Sequence, residues 1–266
     1  MTDDRASGPR PVTRLWTEAD LGAGLTLGLD HARAHFLRSV LRLERGAPVA
    51  LFNGRDGEWL ARIEGLGKGW CSLAVEAQRR PQAGAPDLWL AFAPIKRARL
   101  DFLVEKATEL GCAALQPMMT RHTAVSRVNL ERLQANAREA AEQCERLDLP
   151  EVRPATDFGK LIDAWPRDRK LLVCAESGAA RPIAETLISL RREGPDSAAG
   201  PWAIMTGPEG GFARSELDAL NDLSFAIKVG LGPRVLRADT AALTAIACWQ
   251  AILGDGRSRP PLRDGD

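Results

Sequence analysis

Cysteine is sparse and scattered in this chain of 266 residues: Cys71, Cys112, Cys144, Cys174 and Cys248 are odd in number and lack Cys-x-x-Cys spacing. That argues against a disulfide framework or a cysteine zinc site and for reduced thiols in a cytoplasm. No apolar run approaches the length of a membrane span, so no spanning helix is expected. The opening MTDDRASGPRP is polar and acidic at its start and reads as neither a secretory signal nor a transit peptide. Charge of one sign is lacking too: the net value is +1, so bulk electrostatics announces no nucleic-acid partner. Lysine is scarce, at positions 68, 96, 106, 160, 170 and 228 only; the other basic residues are arginine. Arginine suits bidentate phosphate contacts, and a GC-rich genome produces the same bias. Several familiar motifs are missing. No loop follows GxGxxG, no Gly-Lys-Ser/Thr closes a phosphate loop, and no GxSxG marks an esterase elbow. His31 and His35 are spaced i, i+4, but Ala32 stands where a zincin has glutamate, so no metal is expected.

What is present divides in two. Residues 31–80 open with HARAHFLRSVLRLERG, a short helix, followed by PVALF, NGRDGEWLARIEG and CSLAVEAQ. These alternating runs, punctuated by Asn-Gly and Asp-Gly, predict a small antiparallel β unit, a barrel. PQAGAP at 81–86 reads as a linker. From residue 87 strands and helices alternate. DLWLAFAPI is a strand buried on both faces, and RARLDFLVEKATELG a helix stopped by Gly111. AALQPMM, EVRPA, KLLVCAE, AIMT and FAIKVGL read as further strands, with helices between them and ADTAALTAIACWQAIL as the closing helix. This order predicts an α/β domain built on a mostly parallel sheet. There are no internal repeats, and GDGRSRPPLRDGD reads as a disordered tail.

Two stretches exceed what tight turns need. In 203-AIMTGPEGGFARSELDAL-220 a strand runs into three glycines around Glu209, and Ser215 with Asp218 resembles a capping box. In 229-VGLGPRVLRADTAALTAIACWQ-250 a second strand runs into Gly-Pro, with Arg234, Arg237, Asp239 and Thr240 before a helix. Glycines at strand C-termini let backbone amides approach a ligand. If the two strands are neighbours, their loops lie side by side and line a pocket with backbone groups. Such a pocket suits a neutral heterocycle with a zwitterionic tail better than a polyphosphate.

GPEGGF…SELDAL with LGPRVLRADTAALTAI resembles the signature of the RsmE family, SPOUT-class methyltransferases acting on N3 of a uridine in 16S ribosomal RNA. KRARLDFLVEKATELGC, EAAEQCERLDLPEVRP and HFLRSVLRLERGAPVALFNGRDGEW resemble other family segments, so nearly the whole chain is covered. The resemblance implies a PUA-like RNA-binding β-barrel over residues 1–82, a trefoil-knotted SPOUT domain over 86–254 and a tail from 255. It also implies S-adenosylmethionine as cofactor, a homodimer, 16S rRNA in the assembled small subunit as partner, and a cytoplasmic location. By motif match the cofactor residues are Met205, Thr206, Gly207, Gly211, Leu231, Gly232, Leu236, Arg237, Thr240 and Ala241, with Cys174 to Ser177 as a third wall. The chain departs from the family in TRHTAVSRV, where relatives are more lysine-rich, and at Glu145, where glycine is frequent.

The implied chemistry needs a methyl donor in line with uracil N3, loss of the N3 proton, and stabilisation of the anion. Arg237 is the candidate for the last task, and a brace to Glu209 is its alternative role. Glu209 is a candidate base, with loop architecture as its other role, Glu142 is an acid–base or RNA-facing candidate, and a flipped target base is expected. For RNA capture the candidates are Arg38, Arg42 and Arg45, which share a face if the helix continues, and Arg55 in the hairpin loop; a solvated helix face is the alternative. Two other functions stay open: a SPOUT methyltransferase acting on transfer RNA, and a non-catalytic RNA-binding assembly factor.

Overall fold

The computed structural model describes residues 9–175, 180–194 and 198–258. They form two compact units.

The first unit comprises the described residues up to Gly84 together with Ala141–Asp148. Its sheet has five strands: β1 (Thr13–Trp16), β2 (Thr26–Leu29), β3 (Pro48–Phe52), β4 (Glu58–Gly67) and β5 (Trp70–Arg80). They run in the order β1-β3-β4-β5-β2, antiparallel except for β1 beside β3. The two outer strands precede residues 31–80, whose pattern predicts the β unit, and lie within the span 1–82 that the family resemblance implies. The Asn-Gly and Asp-Gly signals fall in one β3–β4 loop, where Gly54 and Gly57 have φ of 76° and 81°. The Asn53 carboxamide accepts the amides of Arg55 and Asp56 there. Alternate residues of the strands, among them Leu15, Val49, Leu51, Ala61, Ile63, Leu73 and Val75, close over the core with Leu37.

The helix expected over 31–46 is shorter. Helix α1 (His31–His35), capped by Asp30, passes into a π-helical turn over Phe36–Val40 and stops. Arg42 adopts φ 55°, and the Leu43 amide bonds to Leu37 O at 2.9 Å. Arg38, Arg42 and Arg45 are all exposed, but they do not share a helix face. Leu37 and Leu43 are drawn into the core together, and the chain must turn out of the helix between them. Arg55 is exposed and paired with Asp20 at 2.9 Å.

The segment 141–148 joins this unit through Arg14. Its Nη1 donates to the carbonyls of Ala141 and Glu142 at 2.9 and 3.0 Å, and its Nη2 to Arg146 O at 2.9 Å. The Trp16 amide donates to Glu142 Oε1 at 2.9 Å. Glu145, in the turn that ends helix α3 (Leu130–Gln143), has φ 62°. That is the conformation a helix C-terminus usually gives to glycine.

The second unit holds Ala85–Ala140 and the described residues from Leu149 onward. Its strands are β6 (Leu88–Phe92), β7 (Ala114–Met119), β8 (Glu151–Val152), β9 (Thr156–Asp157), β10 (Lys170–Cys174), β11 (Arg181–Pro182), β12 (Trp202–Thr206) and β13 (Ala226–Gly230). Every pairing among them is parallel, in the order β11-β13-β10-β12-β6-β7-β8, with β9 beside β7. Helices cover both faces, as a buried parallel sheet requires. Leu90, Phe92, Leu172, Cys174, Trp202 and Ile204 pack with α2 (Arg97–Glu109), α3, α5 (Ile183–Glu193) and α7 (Ala238–Ile252). Ala91, Leu171, Val173, Ala203 and Met205 face the other way, towards α4 (Phe158–Asp163), Trp165 and α6 (Arg214–Asn221). Gly111, with φ 79°, ends α2 as expected. At the N-terminal edge of the sheet Arg169 grips both Asp87 carboxylate oxygens and lies 3.5 Å from the centroid of the Trp89 ring. The start of the expected tail, Asp255–Arg257, forms a 3-10 turn, with the Asp255 amide bonded to Gln250 Oε1 at 3.1 Å. Residues 259–266 lie outside the described residues.

Candidate cofactor pocket

Strands β12 and β13 are not neighbours. Strand β10 lies between them, with Val173 opposite Met205 on one side and Cys174 opposite Val229 on the other. All three strands run the same way, so Cys174, Thr206 and Gly230 end at one edge of the sheet. The two glycine loops still meet, because the chain leaving β10 is the floor between them. The resulting pocket is lined by Cys174, Ala175, Thr206, Gly207, residues 231–236, Ala238 and Ala241.

Six of the residues expected to bind a cofactor stand in this lining: Thr206, Gly207, Leu231, Gly232, Leu236 and Ala241. Four do not. Met205 points to the opposite face of the sheet, among Ala91, Val173 and Leu220, because side chains alternate along a strand. Gly211 closes a turn instead, its amide bonded to Pro208 O at 2.9 Å. Arg237 is exposed and serves as N-cap residue of α7, its carbonyl accepting the Ala241 amide. Thr240 is exposed, its amide bonded to Asp239 Oδ1. Of the expected third wall, Cys174 and Ala175 are in place; Glu176 and Ser177 lie outside the described residues. Pro233, Arg234, Val235 and Ala238 also line the pocket. They sit within the quoted second loop, an irregular segment with no periodicity to mark which of its residues face inward.

The chemistry of the wall is mostly apolar. Among the described residues, Arg234 is the one charged member of the lining. The Cys174 thiol is pushed up to about 12 by burial, with the neighbouring Cys248 acting in the same sense, so it stays neutral. Gly232, with φ 102°, has open space where a Cβ would stand. Asp239, buried at the start of α7, lies 3.5 Å from Arg99 of α2. A carboxylate there also meets the positive end of the helix.

The candidate acid–base groups fall elsewhere. Glu209 is exposed on the first loop and Glu142 belongs to the N-terminal unit; neither lines the pocket. The buried carboxylate near the first loop is Glu216. Helix α6 starts at Arg214, and Glu216 Oε2 accepts the amide of its N-cap residue Ala213 at 2.8 Å. The expected Ser215–Asp218 cap is therefore displaced. Burial of Ala213 and Glu216 sets the helix start two residues earlier than the serine suggests. No group of described residues gathers three metal-ligating side chains.

Comparison with known proteins identifies the family of the chain. A profile for RNA methyltransferase domains matches residues 83–250, and one for RNA methyltransferase PUA domains matches residues 29–76. The chain is 35% identical to ribosomal RNA small subunit methyltransferase E of Rickettsia conorii, over 84% of this chain and 88% of that one. It is 31% identical to the protein of that name from Synechocystis sp., over 86% and 74%. Among solved structures, the corresponding Neisseria gonorrhoeae enzyme bound to S-adenosyl methionine superposes with a TM-score of 0.81 at 27% identity, covering 91% of this chain and 98% of that one. A putative Legionella pneumophila methyltransferase in complex with the same cofactor gives 0.80 at 27% identity, covering 93% and 100%. With an RNA methyltransferase domain over most of its length and relatives of one name along nearly all of it, the chain belongs to the ribosomal RNA small subunit methyltransferase E family.

Proposed function

We propose that this chain is an S-adenosylmethionine-dependent methyltransferase acting on N3 of a uridine in 16S ribosomal RNA. The observation that carries the reading is the pocket assembled from three parallel strand ends, in a chain whose relatives bear that enzyme's name. Its residues fit the cofactor. The apolar lining of Leu231, Val235, Leu236, Ala238 and Ala241 suits an adenosyl group, and the Thr206 hydroxyl and loop backbone offer polar partners. S-adenosylmethionine supplies an electrophilic methyl group on sulfur.

The chain's own residues do the rest. The glycine loops fix the donor's position, and positioning alone supplies much of a transfer's acceleration. Arg237, exposed between the pocket residues Leu236 and Ala238, is the candidate to meet the uracil oxygens as negative charge develops. Glu209, on the first loop, is the remaining acid–base candidate; Glu142 is already engaged by the Trp16 amide. The PUA-like unit, with exposed Arg38, Arg42 and Arg45, captures RNA, and Arg55 joins it by releasing Asp20. Val235, 84% exposed at the pocket although apolar, supports a homodimer in which a second copy covers it. The trefoil knot, the cytoplasmic location and the assembled small subunit as substrate complete the proposal.

The test is calorimetric titration with S-adenosylmethionine, then methyl transfer to naked 16S rRNA, assembled small subunits and transfer RNA, with mass mapping of the product. Binding followed by transfer to 16S uridine N3 is the expected result. Transfer to tRNA alone, or RNA binding without cofactor binding, would overturn it.

A further inference from the structure

The first glycine loop is held from outside the pocket by a turn that the proposed chemistry does not use. Residues 120–123 follow β7, two strands away from β12 in the sheet. This turn is locked internally. The Thr120 amide donates to Thr123 Oγ1 at 2.9 Å, the two hydroxyls lie 2.8 Å apart, and the Thr123 amide bonds to Thr120 O. It reaches the loop through two side chains. Glu216, 8% exposed, takes the Arg121 amide on Oε1 at 2.8 Å and the Ala213 amide on Oε2 at 2.8 Å. His122 places Nδ1 at 3.1 Å from Gly210 O and 3.2 Å from Gly211 O.

Both partners of that nitrogen are carbonyl oxygens, which only accept, so Nδ1 carries the proton and donates to the pair. A Cβ at Gly210 would stand 3.2 Å from His122 Cβ, so the ring lies close against the glycine backbone. Glycines 207, 210 and 211 make this segment free to move, while its inner side forms a pocket wall at Thr206 and Gly207. A loop with that freedom needs an outer support if its inner face is to be preformed. The support here is one rigid turn joined by hydrogen bonds at both ends of the loop–helix junction.

We propose that the 120–123 turn is a brace for the cofactor loop, with His122 as its positioning residue, setting cofactor affinity without touching the cofactor. The inference rests on the proposed function for the identity of the ligand and on geometry for the brace.

The test separates the two. Asparagine can offer its Nδ2–H where histidine offers Nδ1–H; glutamine reaches only to the position of Nε2. Amide hydrogen exchange in the ligand-free protein reads the brace directly, with the Gly211 amide, bonded to Pro208 O, as reporter. His122→Ala and His122→Gln are expected to speed its exchange roughly tenfold, the scale of one net hydrogen bond, and His122→Asn to restore it. The Kd for S-adenosylmethionine rises in the same pattern, while kcat at saturating cofactor and the Tm of the protein stay near wild type. Unchanged exchange in His122→Ala, or rescue by glutamine instead of asparagine, would overturn the brace. A wild-type protein that exchanges as expected but does not bind S-adenosylmethionine would overturn the cofactor role and the functional reading, and leave the loop support standing.

Discussion

Glu58 accepts a hydrogen bond from Arg14 Nε at 2.7 Å, and the same carboxylate oxygen takes another from Arg80 Nη2 at 2.7 Å. Burial alone would raise the pKa of Glu58, but the bonds and charges of Arg80 and Arg14 outweigh it and hold the carboxyl below the ordinary glutamate range. A depressed folded-state pKa means stability that is present above the unfolded value, about 4.3, and lost as pH falls through the folded value. The N-terminal unit is therefore expected to lose stability below about pH 4.3. Glu58→Gln should cost about 1–3 kcal/mol at pH 7, since it leaves two partly buried guanidinium groups short of a counter-charge, and should flatten the acid limb. Denaturation followed at neutral pH and at steps through the acid range measures both; an acid limb of unchanged slope in Glu58→Gln would count against the pair.

Glu145 holds a left-handed backbone at a helix end, where a side chain costs about 1 kcal/mol relative to glycine. Glu145→Gly is expected to relieve that strain but to lose the attraction of its carboxylate for Arg14, for a net gain below about 1 kcal/mol, with cofactor affinity unchanged. Its carbonyl accepts Arg80 Nη2 at 2.8 Å, a bond the substitution keeps. Thermal unfolding of the two proteins side by side decides it.

Cys174 closes the floor of the pocket as a neutral thiol. Cys174→Ala should leave S-adenosylmethionine affinity within about threefold, since no charge is removed and the cavity gained is small. Cys174→Phe should abolish binding by filling the space, and should cost about 1–3 kcal/mol of stability through overpacking of the core it shares. The native thiol should react slowly with alkylating reagents at neutral pH, because only the thiolate is nucleophilic. Titration calorimetry and mass-detected alkylation measure these outcomes.

Arg38 and Arg42 project into solvent on either side of the end of the helix. Arg38→Ala with Arg42→Ala is expected to weaken RNA binding, and to lower the slope of log K against log salt by about one for each phosphate no longer neutralised. Cofactor affinity should not change. An RNA titration across salt showing the wild-type slope would remove these residues from the interface.

The alternation of strands and helices is legible in the sequence because each is a short periodic run with glycine or proline at its ends. The stop at Gly111 and the apolar helix over 238–252 both follow from that punctuation. Within the pocket, six residues that the family resemblance implies by motif match stand in the lining, four of them glycines and leucines of the two loops. What stays hidden depends on sheet order and on the meeting of distant residues. That β10 separates β12 from β13 has no local signal, nor does the turn of Met205 away from the pocket once the strand's phase is set. Glu216 reads as an ordinary surface glutamate, and nothing local ties it to the Arg121 amide, 95 positions earlier. The helix carrying Arg38 is overextended by periodicity, which continues into Leu43 although the backbone turns at Arg42.

The return of residues 141–148 to the N-terminal unit has a bearing on how such a protein can be cut and recombined. A single genetic crossover near residue 85 would exchange the β sheet while leaving behind the stretch that Arg14 holds. Yet the acceptors that Arg14 uses are main-chain carbonyls of Ala141, Glu142 and Arg146. A hybrid would thus inherit a seating rule written mostly in backbone path, intolerant of a residue inserted between those positions, with one side-chain clause at Glu142, whose carboxylate takes the Trp16 amide.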